Sequence, residues 1–221
     1  MNTTPTTQTV PEKIQEPNHG ARPICGRKEY TVCVAGWYFL NDLYETLTKM
    51  KDKVAVVAHK DSHHMKNFDK VAVIENIGLE FHIYNHFLNK IWNGMDDIIF
   101  LQDDAVIGDC DIFNKISDQC VASGYDVAYV WESDKQKRKN GNAHGRCVYV
   151  SAGLASTIVM NGGIWCNIED RGYTNKREFK KWYAHRNLGI QSFNRLICKL
   201  AKSVGHVFIS RKDFKLLREG R

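Results

Sequence analysis

The chain has 221 residues, a formal net charge of +6, and is 43% hydrophobic and 25% charged. That length suits one domain with a full-sized core, and the composition is ordinary for a soluble globular protein. No run reaches the roughly 18 apolar residues a membrane-spanning helix needs. The seven cysteines are odd in number and contain no C-x-x-C, which argues against a disulfide scaffold or zinc ribbon and for a reducing cytoplasm.

Residues 1–28 begin MNTTPTTQTVPEKIQEPNHG, without a basic start or an apolar segment. They read as a disordered leader and not a secretory signal, which leaves one domain over 29–221. Charge is unevenly spread: residues 171–221 hold 14 Lys and Arg against three acids, the remainder 17 against 22. A basic third on an acidic body points to a face that meets a polyanion, or to a solubilising tail.

The β-branched run YTVCVAG (30–36) predicts a buried strand. Trp37 to Met50 follows with helical apolar spacing. KVAVVAHK (53–60) and VAVIEN (71–76) predict a second and third strand, LEFHIYNHFLNKIW (79–92) a helix, and IIFLQ (98–102) a fourth strand. DIFNKISDQCVASG (111–124) predicts another helix and YDVAYVWE (125–132) another strand. The polar, basic 134–146 reads as a loop or lid. CVYVSA (147–152) and ASTIVM (155–160) read as strands, 190–204 as a helix, and HVFI (206–209) as a last short strand. This is the rhythm of a mostly parallel α/β sheet flanked by helices.

In such sheets ligands gather at the carboxyl ends of the strands. Gly36, His59, Asn76 and Gln102-Asp103-Asp104 all fall there. Hard carboxylate oxygens suit Mg²⁺ or Mn²⁺, which in turn hold phosphates. The same aspartates could instead cap the next helix.

The order strand, Gly-aromatic turn, two strands, Asn-x-Gly before a helix, apolar strand, Asp-Asp resembles the nucleotide-sugar domain of GT-A fold glycosyltransferases. The residues that carry the resemblance are ENIGLEFHIYNHFLNKIWNG and IIFLQDDAVI, within about 30–132. It implies a GT-A-like mostly parallel central sheet in a single domain, with 30–132 as its nucleotide-sugar part and 133–221 as a basic acceptor-side part. It also implies a nucleoside-diphosphate sugar donor, held by Ala35, Gly36, Trp37, Asn76, Gln102 and Asp103. Trp37 could stack on uracil or pack as a helix-start residue. Gln102 departs from the acidic pattern of the family, which leaves Asp104 as the metal ligand and Asp103 as the ribose or sugar contact. A late histidine, His206 or else His185, is implied as a further metal ligand. Relatives often carry an E-D-x-D segment where Gln191 and Ser192 stand here. Separately, an inverting enzyme needs a carboxylate base against the acceptor hydroxyl, and Glu169 and Asp170 in NGGIWCNIEDRGY are the candidates.

Aromatics interleave with Arg171, Lys176, Arg177, Lys180, Lys181 and Arg186. Cations bind phosphates and aromatics stack on bases. The chain thus resembles the glycosyltransferases of bacteriophages and base J synthesis. These act on hydroxymethylated pyrimidines in DNA, here expected with a UDP-sugar such as glucose. A polysaccharide or protein acceptor is the alternative, and a non-catalytic nucleic-acid-binding protein a further one. A nucleotidyltransferase would carry a basic glycine-rich loop after the first strand, and AGWYFLND does not.

Overall fold

In the computed structural model, which describes residues 28–132, 146–164, 177 and 193–217, seven strands form one sheet in the order β3-β2-β1-β4-β7-β6-β8. In chain order these are β1 (Tyr30–Gly36), β2 (Val54–Ala58), β3 (Lys70–Val73), β4 (Asp97–Gln102), β6 (Val127–Glu132), β7 (Cys147–Val150) and β8 (Val204–Ile209). Of the seven, β7 alone runs antiparallel to its neighbours. The central strands β1 and β2 are buried at every position, so they read as unbroken apolar runs. At the edge, β8 alternates exposed and buried along its length.

Strand alternation sorts the core into two layers. Ile99 and Leu101 share one face with Val32 and Val34, covered by α1 (Asn41–Leu47) and α3 (Asp111–Ser123). Ile98 and Phe100 share the other with Cys33 and Ala35, covered by α2 (Leu79–Lys90), α4 (Ala152–Met160) and the helical residues 193–200. Each fully buried Leu, Ile or Phe contributes about 1.5–3 kcal/mol.

A second sheet pairs β5 (Ala105–Ile107) with β9 (Phe214–Leu216), antiparallel, with Ala105 opposite Leu216 and Ile107 opposite Phe214. At the amino end of the main sheet, buried Asp97 accepts from the Tyr149 hydroxyl and, at 2.8 Å, from the N–H of Ala152 at the start of α4. Asp126 likewise accepts from the N–H groups of Lys202 (2.7 Å) and Ser203 (3.2 Å). These carboxylates fasten element ends to the sheet.

Several expectations need correction. ASTIVM is helical, because the Ser151 side chain caps α4 by accepting from Leu154 N–H, and Leu154, Ala155 and Ile158 bury one helical face. The β-branched residues there follow tertiary packing over propensity. Asn41 and Asp42, either of which could cap the first helix, instead lie inside it: α1 begins at Asn41 with Leu40 at the cap position, and residues 37–40 form a loop. HVFI is the end of the longer β8, and β9 follows it. Cys33, Cys110, Cys120, Cys147 and Cys198 are free thiols. Among the described residues, no helix is long and apolar enough to cross a membrane. The leader residues 1–27 and the loop 133–145 lie outside the described residues.

Candidate functional site

The carboxyl rim is built where β1, β2, β3 and β4 end. β1 and β4 run in register, Ala35 opposite Gln102, so the chain leaves both strands side by side. Gly36 leaves little room for a side chain: a Cβ there would lie 3.0 Å from Ala58 Cβ and 3.1 Å from the Phe39 ring, so the neighbours would have to give by a few tenths of an ångström. The loop therefore folds tightly back over the strand end.

Asp103 shapes that loop. Its Oδ2 accepts from the backbone N–H groups of Trp37 (2.8 Å), Tyr38 (2.9 Å) and Phe39 (2.7 Å), with the Tyr44 hydroxyl at 3.4 Å. Burial pushes the Asp103 carboxyl above the ordinary carboxylate range, and these four donors oppose that rise. Burial, and then the same carboxylate, push the Tyr44 hydroxyl upward. Asp103 is 1% exposed, beneath the loop and not open at the rim, where a ribose or sugar contact would need it.

Asp104 points elsewhere. Its Oδ2 lies 3.1 Å from Arg146 Nη1, with 9% of the aspartate and 14% of the arginine side chain exposed. Arg146 immediately precedes β7, and its carbonyl accepts from Gln102 N–H at 2.7 Å, which seats it beside the end of β4. Arg146 Nη1 also donates to Leu217 O at 2.6 Å, while Leu217 N–H donates to Asp104 O at 2.8 Å. Asp104, Arg146 and the segment after β9 thus form one cluster.

On the other side of β4, Gln102 Nε2 donates to Glu80 Oε1 at 3.0 Å, joining the strand end to the first turn of α2. The Asn76-Ile77-Gly78 turn leads into α2 through Leu79, whose φ is +51°. Phe39 in the other rim loop has φ +54°, and among the described residues these are the two non-glycine positions in the left-handed region. Backbone strain of this kind, about 1–3 kcal/mol each, persists where surrounding contacts enforce it and concentrates at functional sites. His59, just past β2, supplies one such contact, with Nε2 3.1 Å from Leu79 O and Nδ1 3.3 Å from Ile74 O. Burial holds its pKa below the ordinary histidine value. The Trp37 ring meets His59 edge-on at 5.9 Å.

The structure therefore brings Ala35, Gly36, Trp37, Asn76, Gln102, Asp103 and Asp104 to one rim. It does not bring His206 there. His206 sits on β8, three strands from β4 and so about 14 Å across the sheet. It is level with Tyr129, Val148 and Phe100, short of the rim, and its Nδ1 accepts from Trp131 Nε1 at 2.9 Å. Glu169, Asp170, Arg171, Lys176, Lys180, Lys181, Arg186 and His185 lie outside the described residues, and Arg177 is described only as helical and exposed.

Sequence reasoning missed Glu80 and Arg146, which sit 22 and 42 residues from their partners. It could have separated the two aspartates, because period-two alternation places Asp103 with Ile99 and Leu101. Among the described residues no three His, Cys, Asp or Glu cluster as a metal cage. Asp104, the more exposed of the two rim aspartates, is largely buried and paired with Arg146, so a Mg²⁺ or Mn²⁺ ion there would need substrate phosphates for its remaining ligands.

No protein-family model and no curated protein sequence matches the chain. Among solved structures, TarS 1-349 of S. aureus aligns with a TM-score of 0.55 at 12% identity, over 84% of this chain and 59% of that one. The fold is GT-A-like. The mannosyltransferase PcManGT of Pyrobaculum calidifontis, solved with GDP-Man and Mn²⁺, aligns at 0.47 with 14% identity over 78% and 65% of the two chains. The glycosyltransferase GlyE of Streptococcus pneumoniae aligns at 0.43 with 10% identity over 84% and 46%. These two alignments are too loose to bear on the chemistry of this GT-A-like chain, which spans less than two thirds of each.

Proposed function

We propose that the chain transfers a sugar from a nucleoside-diphosphate sugar to an acceptor hydroxyl at this rim. The observation that supports it is the placement of Asp104 just past the central strand of a GT-A-like sheet, next to Asp103, which anchors the strained loop at 37–39. The loop held by Asp103 would meet the nucleoside, with Trp37 and Asn76 facing the base and ribose. Asn76 Oδ1 is buried and has no hydrogen-bond partner among the described residues. Gln102, tied to Glu80, would border the sugar. Asp104 would hold Mn²⁺ or Mg²⁺ against the diphosphate, and that ion, when bound, neutralises the departing nucleoside diphosphate.

The acceptor we propose is a hydroxymethylated pyrimidine in DNA, with a UDP-hexose such as glucose as donor. The support is the excess of 14 cations over three acids in residues 171–221, including Arg171, Lys176, Arg177, Lys180, Lys181 and Arg186. The modified base would leave the stack for its hydroxyl to reach the sugar carbon. Glu169 or Asp170 would take the proton from that hydroxyl.

The test incubates the protein with Mn²⁺, a panel of nucleotide sugars and DNA containing hydroxymethylcytosine or hydroxymethyluracil, and weighs the nucleosides by mass spectrometry. A gain of one hexose supports the reading. Transfer to a polysaccharide or protein instead overturns the DNA acceptor and leaves sugar transfer standing. DNA binding with no transfer to any acceptor overturns the enzyme.

A further inference from the structure

We propose that Arg146 is a diphosphate-binding residue of this site. Its guanidinium would rest on Asp104 and turn toward the phosphates when a nucleoside diphosphate binds. The inference rests on the sugar-transfer reading above, and adds to it a residue the family pattern did not indicate.

Three observations carry it. The first is position: Gln102 N–H donates to Arg146 O, so the arginine stands beside the strand end that delivers Asp104. The second is the ion pair itself, 3.1 Å with 14% and 9% of the two side chains exposed. Taking two charges out of water costs free energy that their attraction only partly returns, so a largely buried pair is weak evidence for a stabilising role alone. The third is charge. A cation and a nucleoside diphosphate arriving at Asp104 would bring a positive ion to the carboxylate and negative oxygens beside the guanidinium. Exchanging partners then leaves every charge paired. The planar fork of an arginine suits phosphate oxygens, and charge-assisted bonds of this kind are stronger than neutral ones. Nη1 also donates to Leu217 O, so the exchange would be felt by the segment after β9.

Calorimetric binding of UDP and GDP, and Mn²⁺ binding followed by electron paramagnetic resonance, test it on the full chain. Expected for Arg146→Gln is a loss of nucleoside-diphosphate affinity on the order of ten- to a hundredfold. Mn²⁺ binding without nucleotide should tighten, because the competing cation is gone. Arg146→Lys keeps the charge but not the fork, and is expected to recover part of the nucleotide affinity. It also serves if the glutamine variant fails to fold, since it should still weaken nucleotide binding. Equal nucleotide affinity in the wild type and either folded variant overturns the role of Arg146 alone. Absence of any nucleoside-diphosphate binding by the wild type overturns the sugar-transfer reading beneath it.

Discussion

The Asp103 carboxylate lies 2.7 Å from the backbone N–H of Phe39, a residue held at φ +54°. A buried acid at the end of a central strand thus fastens a left-handed, non-glycine residue in the loop that borders the candidate site. The loop's shape is set by the strand beneath it.

Asp103→Ala should therefore cost about 2–4 kcal/mol, since it strips the acceptor from several N–H groups at once. Chemical denaturation measures this. Nucleotide affinity should fall as well, and Asp103→Asn should lie between because its carbonyl oxygen still accepts. Wild-type stability in the alanine variant would refute the anchoring role.

Two aspartates at opposite ends of β4 should separate stability from activity. Asp97 accepts from Tyr149 and Ala152, far from the rim, so Asp97→Ala should lower stability by about 2–4 kcal/mol. Transfer should be retained at temperatures where the variant is folded. Asp104→Asn should lose transfer by on the order of a hundredfold or more with an intact circular dichroism spectrum. Parallel effects in the two variants would remove the distinction.

His59 should make stability depend on pH. Its folded pKa lies below the ordinary value of 6.5, chiefly through burial. The unfolded chain then takes up the proton first. The stabilisation is present above about 6.5 and is lost as pH falls through the lowered folded value. Among the described residues, the neighbours facing the ring are Trp37 and His82, and His82 is the other titratable group in ring contact. Denaturation midpoints measured from about pH 7 to about pH 5 should fall, and His59→Gln should flatten part of the slope. His64 and His86 are also lowered, first by burial, and should add to the slope in the same direction.

Gly163 has φ +83°, and a Cβ there would lie 2.2 Å from Asn85 Oδ1, the atom that accepts from Ile164 N–H at 2.9 Å. Gly163→Ala should cost about 1–3 kcal/mol through backbone strain and the lost Asn85 contact. In an Asn85→Ala background the clash is gone, so the same substitution should cost less. A double-mutant cycle by denaturation reads that coupling, and additivity would show that the two sites are independent.

The central sheet was legible because its strands are local: β1, β2 and β4 carry the apolar runs VCVA, VAVVA and IIFL, whose burial on both faces follows from their position. The candidate rim was legible for the same reason, since strand ends can be counted off. What could not be read joins distant residues. β5 and β9 have three residues each, too short for any periodicity, and pair across more than a hundred positions. Arg146 meets Asp104 only because β7 returns antiparallel beside β4. ASTIVM has strand-like composition, and its helix is decided by the Ser151 cap and the sheet face it covers.

The β5–β9 pairing also bears on the order in which the protein is made. Six of the seven strands of the main sheet are synthesised before residue 151, and Asp104 is among the residues made in that stretch. The surroundings of Asp104, however, include Leu217, which hydrogen-bonds to its backbone and to Arg146. A nascent chain can assemble most of its sheet during translation while the carboxylate at its centre is still without its final setting. The setting of Asp104 is completed only when residue 217 joins it, after six of the seven strands of the main sheet have been made.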